Sequence, residues 1–255
     1  MLSFEQFLVF EIAAGCNLSR EHAAHCPSGR ADRWQRLPHD TPISDRLIYD
    51  AVRQAYHDCG FRGQVAWHYY CEPMLAWDRL KRLLPRMRRE VPQARFCLWT
   101  NGTRFPPDLS ELRIFDSLWI SNYENLDRRP LAMIVPDLHV LNGLLDDRTG
   151  GALDVGTAPC RRPFNEVIID YYGNVHLCCM DWRGEISIGN LWRESLQTLA
   201  ERFVGLRDMV MCSPMPVDAP TVCRACAFRD PQPAKLVPPI DTEALEYARA
   251  KPCES

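Results

Sequence analysis

The sequence predicts an α/β fold: a partial (β/α)6-like parallel barrel followed by a small domain of β-hairpin plus helix. Three observations carry this. Strand-like and helix-like stretches alternate up to about residue 145, the signature of βαβ units and a parallel sheet. The alternation breaks at Gly150-Gly151, a boundary signal. Beyond the break, Ile168–Cys178 reads as strand, tight turn at Gly173-Asn174, and strand.

In order, Phe7–Ile12 reads as a strand, followed by a loop rich in His, Arg and Pro. Residues 43–58 have helical spacing, with Ile43, Leu47, Ile48, Ala51, Val52 and Ala55 on one face, and Gly60 and Gly63 end the run. Val65–Tyr70 is strand-like, and Leu75–Val91 is helix-like with Leu80, Leu83, Leu84 and Met87 inward. Arg95–Thr100 is a strand stopped by Asn101-Gly102, and Phe115–Ser121 and Val135–Leu141 are further strands. After the boundary come the hairpin, a short strand at Ile186-Ser187-Ile188, a helix from Trp192 to Phe203, and a Pro-containing loop. The domains expected are 1–150, 151–230 and a C-terminal tail over 231–255, read as a surface strap.

Composition limits the function. The 255 residues carry a net charge of −3, so no overall field attracts nucleic acid. The basic run from Arg79 to Arg89 reads as a solvated helix face. No stretch approaches the roughly 18 apolar residues of a membrane span, and the first residues lack the basic and apolar regions of a signal peptide. Twelve cysteines in such a chain point to a cytoplasmic setting with metal-bound or free thiols rather than a disulfide framework.

Four of those cysteines form a pattern: Cys160 and Cys178 as C-x12-G-x4-C, then Cys223 and Cys226 as C-x2-C. The hairpin returns Cys178 toward Cys160, and the later pair closes the square. Four thiolates so gathered bind an iron–sulfur cluster or a structural zinc. Zinc sites favour closely spaced pairs, so the wide first spacing favours the cluster. The second domain has little apolar sequence of its own, and a metal staple would help it fold. Three further polar clusters fall after strand ends: the loop after Ile12, Tyr70-Cys71-Glu72-Pro73, and Thr100-Asn101-Gly102. In parallel barrels these loops carry the chemistry. Taken alone, Glu72-Pro73 is also a good helix start, and Asn101-Gly102 a turn.

These residues resemble a family. Cys16-Asn17-Leu18 and His25-Cys26-Pro27 look like the first-loop motif of radical S-adenosylmethionine (radical SAM) enzymes. Cys71-Glu72-Pro73 resembles their Gly-Glu-Pro motif, which holds the methionine amino group of SAM. Thr100-Asn101-Gly102 resembles the segment near the SAM ribose, and Ser121-Asn122 ends the strand where the family places further SAM contacts. Cys160, Gly173, Cys178 and Gly189-Asn190-Leu191 resemble the SPASM/twitch extension, whose auxiliary 4Fe–4S cluster would be ligated here by Cys160, Cys178, Cys223 and Cys226.

The first loop departs from the family's C-x3-C-x2-C. Cys16 and Cys26 match its outer cysteines, but no cysteine lies between them. Three readings stay open. His22 or His25 supplies the third ligand; Cys71 reaches across from the neighbouring strand end; or the site holds no catalytic cluster. The resemblance implies a 5′-deoxyadenosyl radical abstracting hydrogen from a small-molecule or peptide substrate, in a net two-electron oxidation. It also implies a reductant protein such as flavodoxin or ferredoxin. The alternative is a catalytically altered relative that keeps only the auxiliary cluster, as a binding or electron-transfer module.

Overall fold

The protein is described by a computed structural model covering residues 7–30, 33, 37–142, 160–186, 188–212, 214–224 and 226. The Gly150-Gly151 boundary and the 231–255 tail lie outside the described residues. One eight-stranded sheet organises the chain. Its strands are β1 (Phe7–Phe10), β2 (Gln64–Trp67), β3 (Arg95–Thr100), β4 (Ser117–Asn122), β5 (Asp137–Asn142), β6 (Glu166–Ile169), β7 (Asn174–His176) and β8 (Gly189–Asn190). Their order is β5-β4-β3-β2-β1-β6-β7-β8. The first six run parallel, whereas β7 and β8 pair antiparallel. The expected parallel barrel sheet and hairpin extension are both present, joined by the pairing of β6 with β1.

Alternation along the strands explains the layering. Leu8, Phe10, Val65, Trp67, Phe96, Leu98, Leu118 and Ile120 pack in the large core that includes helices α1 (Asp45–His57) and α2 (Trp77–Glu90). Their strand neighbours Phe7, Val9, Ala66, Cys97, Trp119 and Ile168 form a second cluster. Strands apolar on both faces are what a buried parallel sheet requires. On this second side Trp99, Trp119 and His139 stack in a row across β3, β4 and β5, with ring centroids 5.0 and 4.0 Å apart.

Helix α1 starts where Ser44 accepts a hydrogen bond from the Leu47 amide, and it buries Ile48, Ala51, Val52 and Ala55. Each large aliphatic so buried contributes about 1.5–3 kcal/mol. Before α2, Pro73–Ala76 forms one 3-10 turn, because the Glu72 side chain caps it at Met74. Between β3 and β4, and between β4 and β5, only the 3-10 segments Leu109–Ile114 and Arg129–Met133 appear.

The C-terminal half departs from expectation in two places. Of the strand expected at 186–188, Ser187 lies outside the described residues and Ile186 and Ile188 are in no strand; the pairing segment is β8 at Gly189–Asn190. Asn190 decides this: its side-chain amide donates to the Tyr172 carbonyl and to Asn174 Oδ1, and Leu191 N–H bonds the Gly173 carbonyl. Gly189 has φ of +144°, and a Cβ there would lie 2.4 Å from Leu199 Cδ2. The second departure is the helix expected over Trp192–Phe203. Helix α3 spans Leu196–Met211 instead, because Ser195 caps it by accepting from the Thr198 amide. A short helix α4 (Thr221–Arg224) follows. No helix of the described residues is long and apolar enough to cross a membrane.

Candidate cofactor sites

Two groups of expected residues are brought together, at different ends of the sheet order. The first lies beyond the C-terminal ends of β1–β4. Glu72, 1% exposed, is its hub. Its carboxylate accepts from Met74 N–H at 3.0 Å, Thr100 Oγ1 at 2.6 Å and Asn101 N–H at 2.8 Å. Burial raises its pKa, and these three donors oppose the rise. The carboxylate therefore ties β2 to β3, and a ligand here would meet mainly the surrounding backbone.

Asn101 carries the link to the first loop. Its side-chain amide donates to Cys16 Sγ at 3.5 Å and to Asn17 Oδ1 at 3.0 Å, and Asn17 donates in turn to Thr103 at 2.8 Å. Glu72 N–H also bonds the Gly15 carbonyl. Cys16 Sγ accepts a second donor, the Leu18 amide, at 3.4 Å. Burial pushes the Cys16 thiol up, while both donors favour its thiolate. Gly102 adopts φ of +71°, with Ile120 Cγ2 only 2.8 Å from where a Cβ would stand. Only glycine lets this loop pass so close to β4.

Cys26 is placed by a helical turn, its amide bonding the His22 carbonyl at 2.8 Å. The two histidines between the cysteines differ. His25 is exposed, whereas His22 packs edge-on against Tyr123 beyond β4, ring centroids 4.7 Å apart. Burial lowers the pKa of His22, which favours the neutral, ligating form. Cys71 sits in the main core. Burial pushes the pKa of its thiol far up. Ser121 accepts from Trp99 Nε1 at 3.1 Å. Asn122 is committed to the turn after β4, bonding the Leu126 carbonyl and Asn142. Pro73 is the buried first residue of its 3-10 turn.

The second group is the late cysteine set. Cys160, Cys178, Cys223 and Cys226 line one cavity, together with Arg162 and Asp181. Cys160 is held by its amide bond to the Val210 carbonyl at the end of α3. Cys178 follows β7, Cys223 lies on α4, and Cys226 closes the turn after it. Burial raises the Cys178 thiol well above its ordinary pKa, and repulsion from Cys179, Cys223 and Cys160 raises it further. A cationic metal centre would reverse that repulsion, and soft thiolates are the donors that iron–sulfur clusters select. Among the described residues, no three His, Cys, Asp or Glu side chains close tightly enough to clasp one metal ion. The four sulfurs surround a space, and the donor set fits a cluster.

Asn17 and Asp181 stand in the motif runs Cys16-Asn17-Leu18 and Cys178-Cys179-Met180-Asp181, but neither has a role of its own legible in the sequence. Thr103 and Arg162 were missed, and their only signal was a place beside motif residues.

The chain is similar to known proteins in sequence and in fold. Residues 160–227 match the SPASM family model, an iron–sulfur cluster-binding domain. The S-adenosyl-L-methionine-dependent 2-deoxy-scyllo-inosamine dehydrogenase of Niallia circulans is 22% identical over 222 residues, covering 78% of this chain and 84% of that protein. The crystal structure of BtrN in complex with AdoMet and 2-DOIA aligns with a TM-score of 0.61 at 18% identity, covering 81% of this chain and 87% of that one. BtrN in an open conformation aligns at 0.62 and 16%, covering 88% and 92%. The late cysteines fall in the segment that matches the SPASM model. The fold of the chain is the one seen in BtrN.

Proposed function

We propose that the chain is a radical SAM oxidoreductase that carries out a two-electron oxidation of a small metabolite. The observation that carries this is the joining of the first loop to Glu72, Thr100 and Asn101 in a chain that also gathers four cysteines around one cavity. Cys16 and Cys26, with His22 as third donor, would hold the first cluster. Backbone around Glu72-Pro73 and Thr100-Asn101-Gly102 would cradle SAM. Cys160, Cys178, Cys223 and Cys226 would hold the auxiliary cluster. Bound there, these groups supply a 5′-deoxyadenosyl radical able to take a hydrogen atom and a second centre able to take an electron. The chain's own part is to fix the first loop to β2 and β3 and to seat the SPASM unit against β1. A small-molecule substrate is favoured by the dehydrogenase named above, and a flavodoxin or ferredoxin would serve as reductant.

The test is anaerobic reconstitution with SAM and dithionite. The expected result is about eight irons per chain, four in each of two cubane clusters, together with 5′-deoxyadenosine. A second reading, in which only the auxiliary cluster is kept, draws on the missing middle cysteine. It expects about four irons, no nucleoside product, and no change on Cys16→Ala. Replacing His22 by Ala, beside His25→Ala, separates the ligand choices. First-loop iron should fall severalfold with the former and hold with the latter.

A further inference from the structure

Tyr70 follows β2 and leads directly into Cys71-Glu72, yet its side chain points to the other cysteine group. Its hydroxyl donates to the Cys179 carbonyl at 2.6 Å, in a buried bond spanning 109 residues of sequence. That carbonyl belongs to the peptide joining Cys179 to Met180. That peptide begins one residue after Cys178, whose thiol lines the cavity. A buried phenol therefore fixes the backbone immediately beyond a cavity-lining thiol. Tyr70 is itself held in place: Arg33 donates to its carbonyl at 3.4 Å and lies 5.1 Å from its ring centroid.

We propose that Tyr70 is a positioning residue for the auxiliary cluster. Bonding the Cys179 carbonyl fixes the 179–180 peptide, and through it Tyr70 directs the N–H of that peptide toward the sulfur of Cys178 when a cluster is bound there, raising that cluster's reduction potential. This rests on the four late cysteines being the cluster's ligands. Reduction adds a negative charge, so a donor to a ligating sulfur stabilises the reduced form more than the oxidised one. Hydrogen bonds in series polarise one another, strengthening each by roughly 10–30%. Groups one step removed from a metal centre tune it through its ligands in this way. Tyr70 thus connects the strand end beside Glu72 with the electronic state of a centre in the SPASM unit.

The test uses the full chain with Cys16→Ala and Cys26→Ala, reconstituted anaerobically so that only the auxiliary centre contributes signal. The midpoint potential is read by potentiometric titration with electron paramagnetic resonance. Tyr70→Phe should keep its iron but favour oxidation. The reduced-to-oxidised ratio at a fixed potential should fall about fivefold, or ~41 mV at 59 mV per tenfold for one electron. Difluorotyrosine at position 70 keeps the hydroxyl and makes it a stronger donor, so the midpoint should rise. Equal midpoints in all three proteins would overturn the proposal. If Tyr70→Phe loses its iron, the fluorinated protein decides alone: a rise supports the assignment and no rise overturns it. An iron-free parent would overturn the ligand assignment as well, and iron analysis shows that before any titration.

Discussion

The late cysteine pocket and the early loop reach their geometry by opposite routes. The pocket draws its thiols from four separate places: a segment tied to the end of α3, the end of a hairpin, a short helix and the turn after it. Tertiary packing brings them around one space. The early loop carries both its cysteines on a single local stretch, and side-chain bonds to Asn101 and a backbone bond to Glu72 anchor it. Four thiols can thus be gathered by the packing of distant segments, whereas the early loop is placed by bonds to its immediate neighbours.

The largest effect should come from the pocket. Cys178→Ala is expected to remove all auxiliary iron while leaving first-loop iron in place, as read by anaerobic iron and sulfide analysis. Retention of the full iron content would break the contrast between the two regions. Next comes Glu72→Ala. It strands three buried donors and should cost about 3 kcal/mol in urea denaturation, with auxiliary iron unchanged. Loss of that iron would mean the two regions are not separable.

A smaller effect concerns His176, buried in the hairpin beside the pocket. Burial alone would lower its pKa, but the hydrogen bond and charge of Asp170, followed by Asp181, raise it. Nε2 lies 3.0 Å from Asp170 Oδ2, and Nδ1 lies 3.0 Å from the Asp181 carbonyl, so both ring nitrogens face acceptors. The folded-state pKa is raised, so the stabilisation is complete below the unfolded value of about 6.5 and is lost as pH climbs through the folded one. Relative to His176→Gln, wild type should lead by ~1–2 kcal/mol near pH 6, and the lead should shrink in alkaline buffer. Thermal melts across that range check it, and a lead that grows with pH would contradict the charged imidazole. The smallest effect is Gly102→Ala. Its positive φ and the close approach of Ile120 should cost about 1 kcal/mol, measured by denaturant midpoint, with no change at the pocket.

Local signals made much of this legible. Arg95–Thr100 reads as a strand and is one, because its alternation is clear and Asn101-Gly102 stops it. Ile186 and Ile188 looked like strand residues, but pairing was decided by the amide of Asn190 and by a glycine conformation, and hydrophobic pattern reports neither. Helix α3 starts late because Ser195 caps its first turn, whereas Asn190, an equally good cap residue, is engaged with Tyr172 and Asn174 and with the Trp192 amide. The motif residues Glu72, Thr100 and Asn101 could be named in advance. That the Glu72 carboxylate is committed to protein donors could not, since it depends on strand register. The contact of Tyr70 with Cys179 crosses too much sequence for any spacing rule to find.

The placement of β1 between β2 and β6 also constrains biosynthesis. One side of Phe7–Phe10 is covered once Gln64–Trp67 has emerged, but the other pairs with Glu166–Ile169. At roughly 5–20 residues per second, the ribosome needs on the order of ten to thirty seconds to supply that partner. Throughout that interval an apolar strand offers an open row of amides and carbonyls, the kind of edge that seeds aggregation. A nascent chain stalled or truncated before the second half would keep that edge.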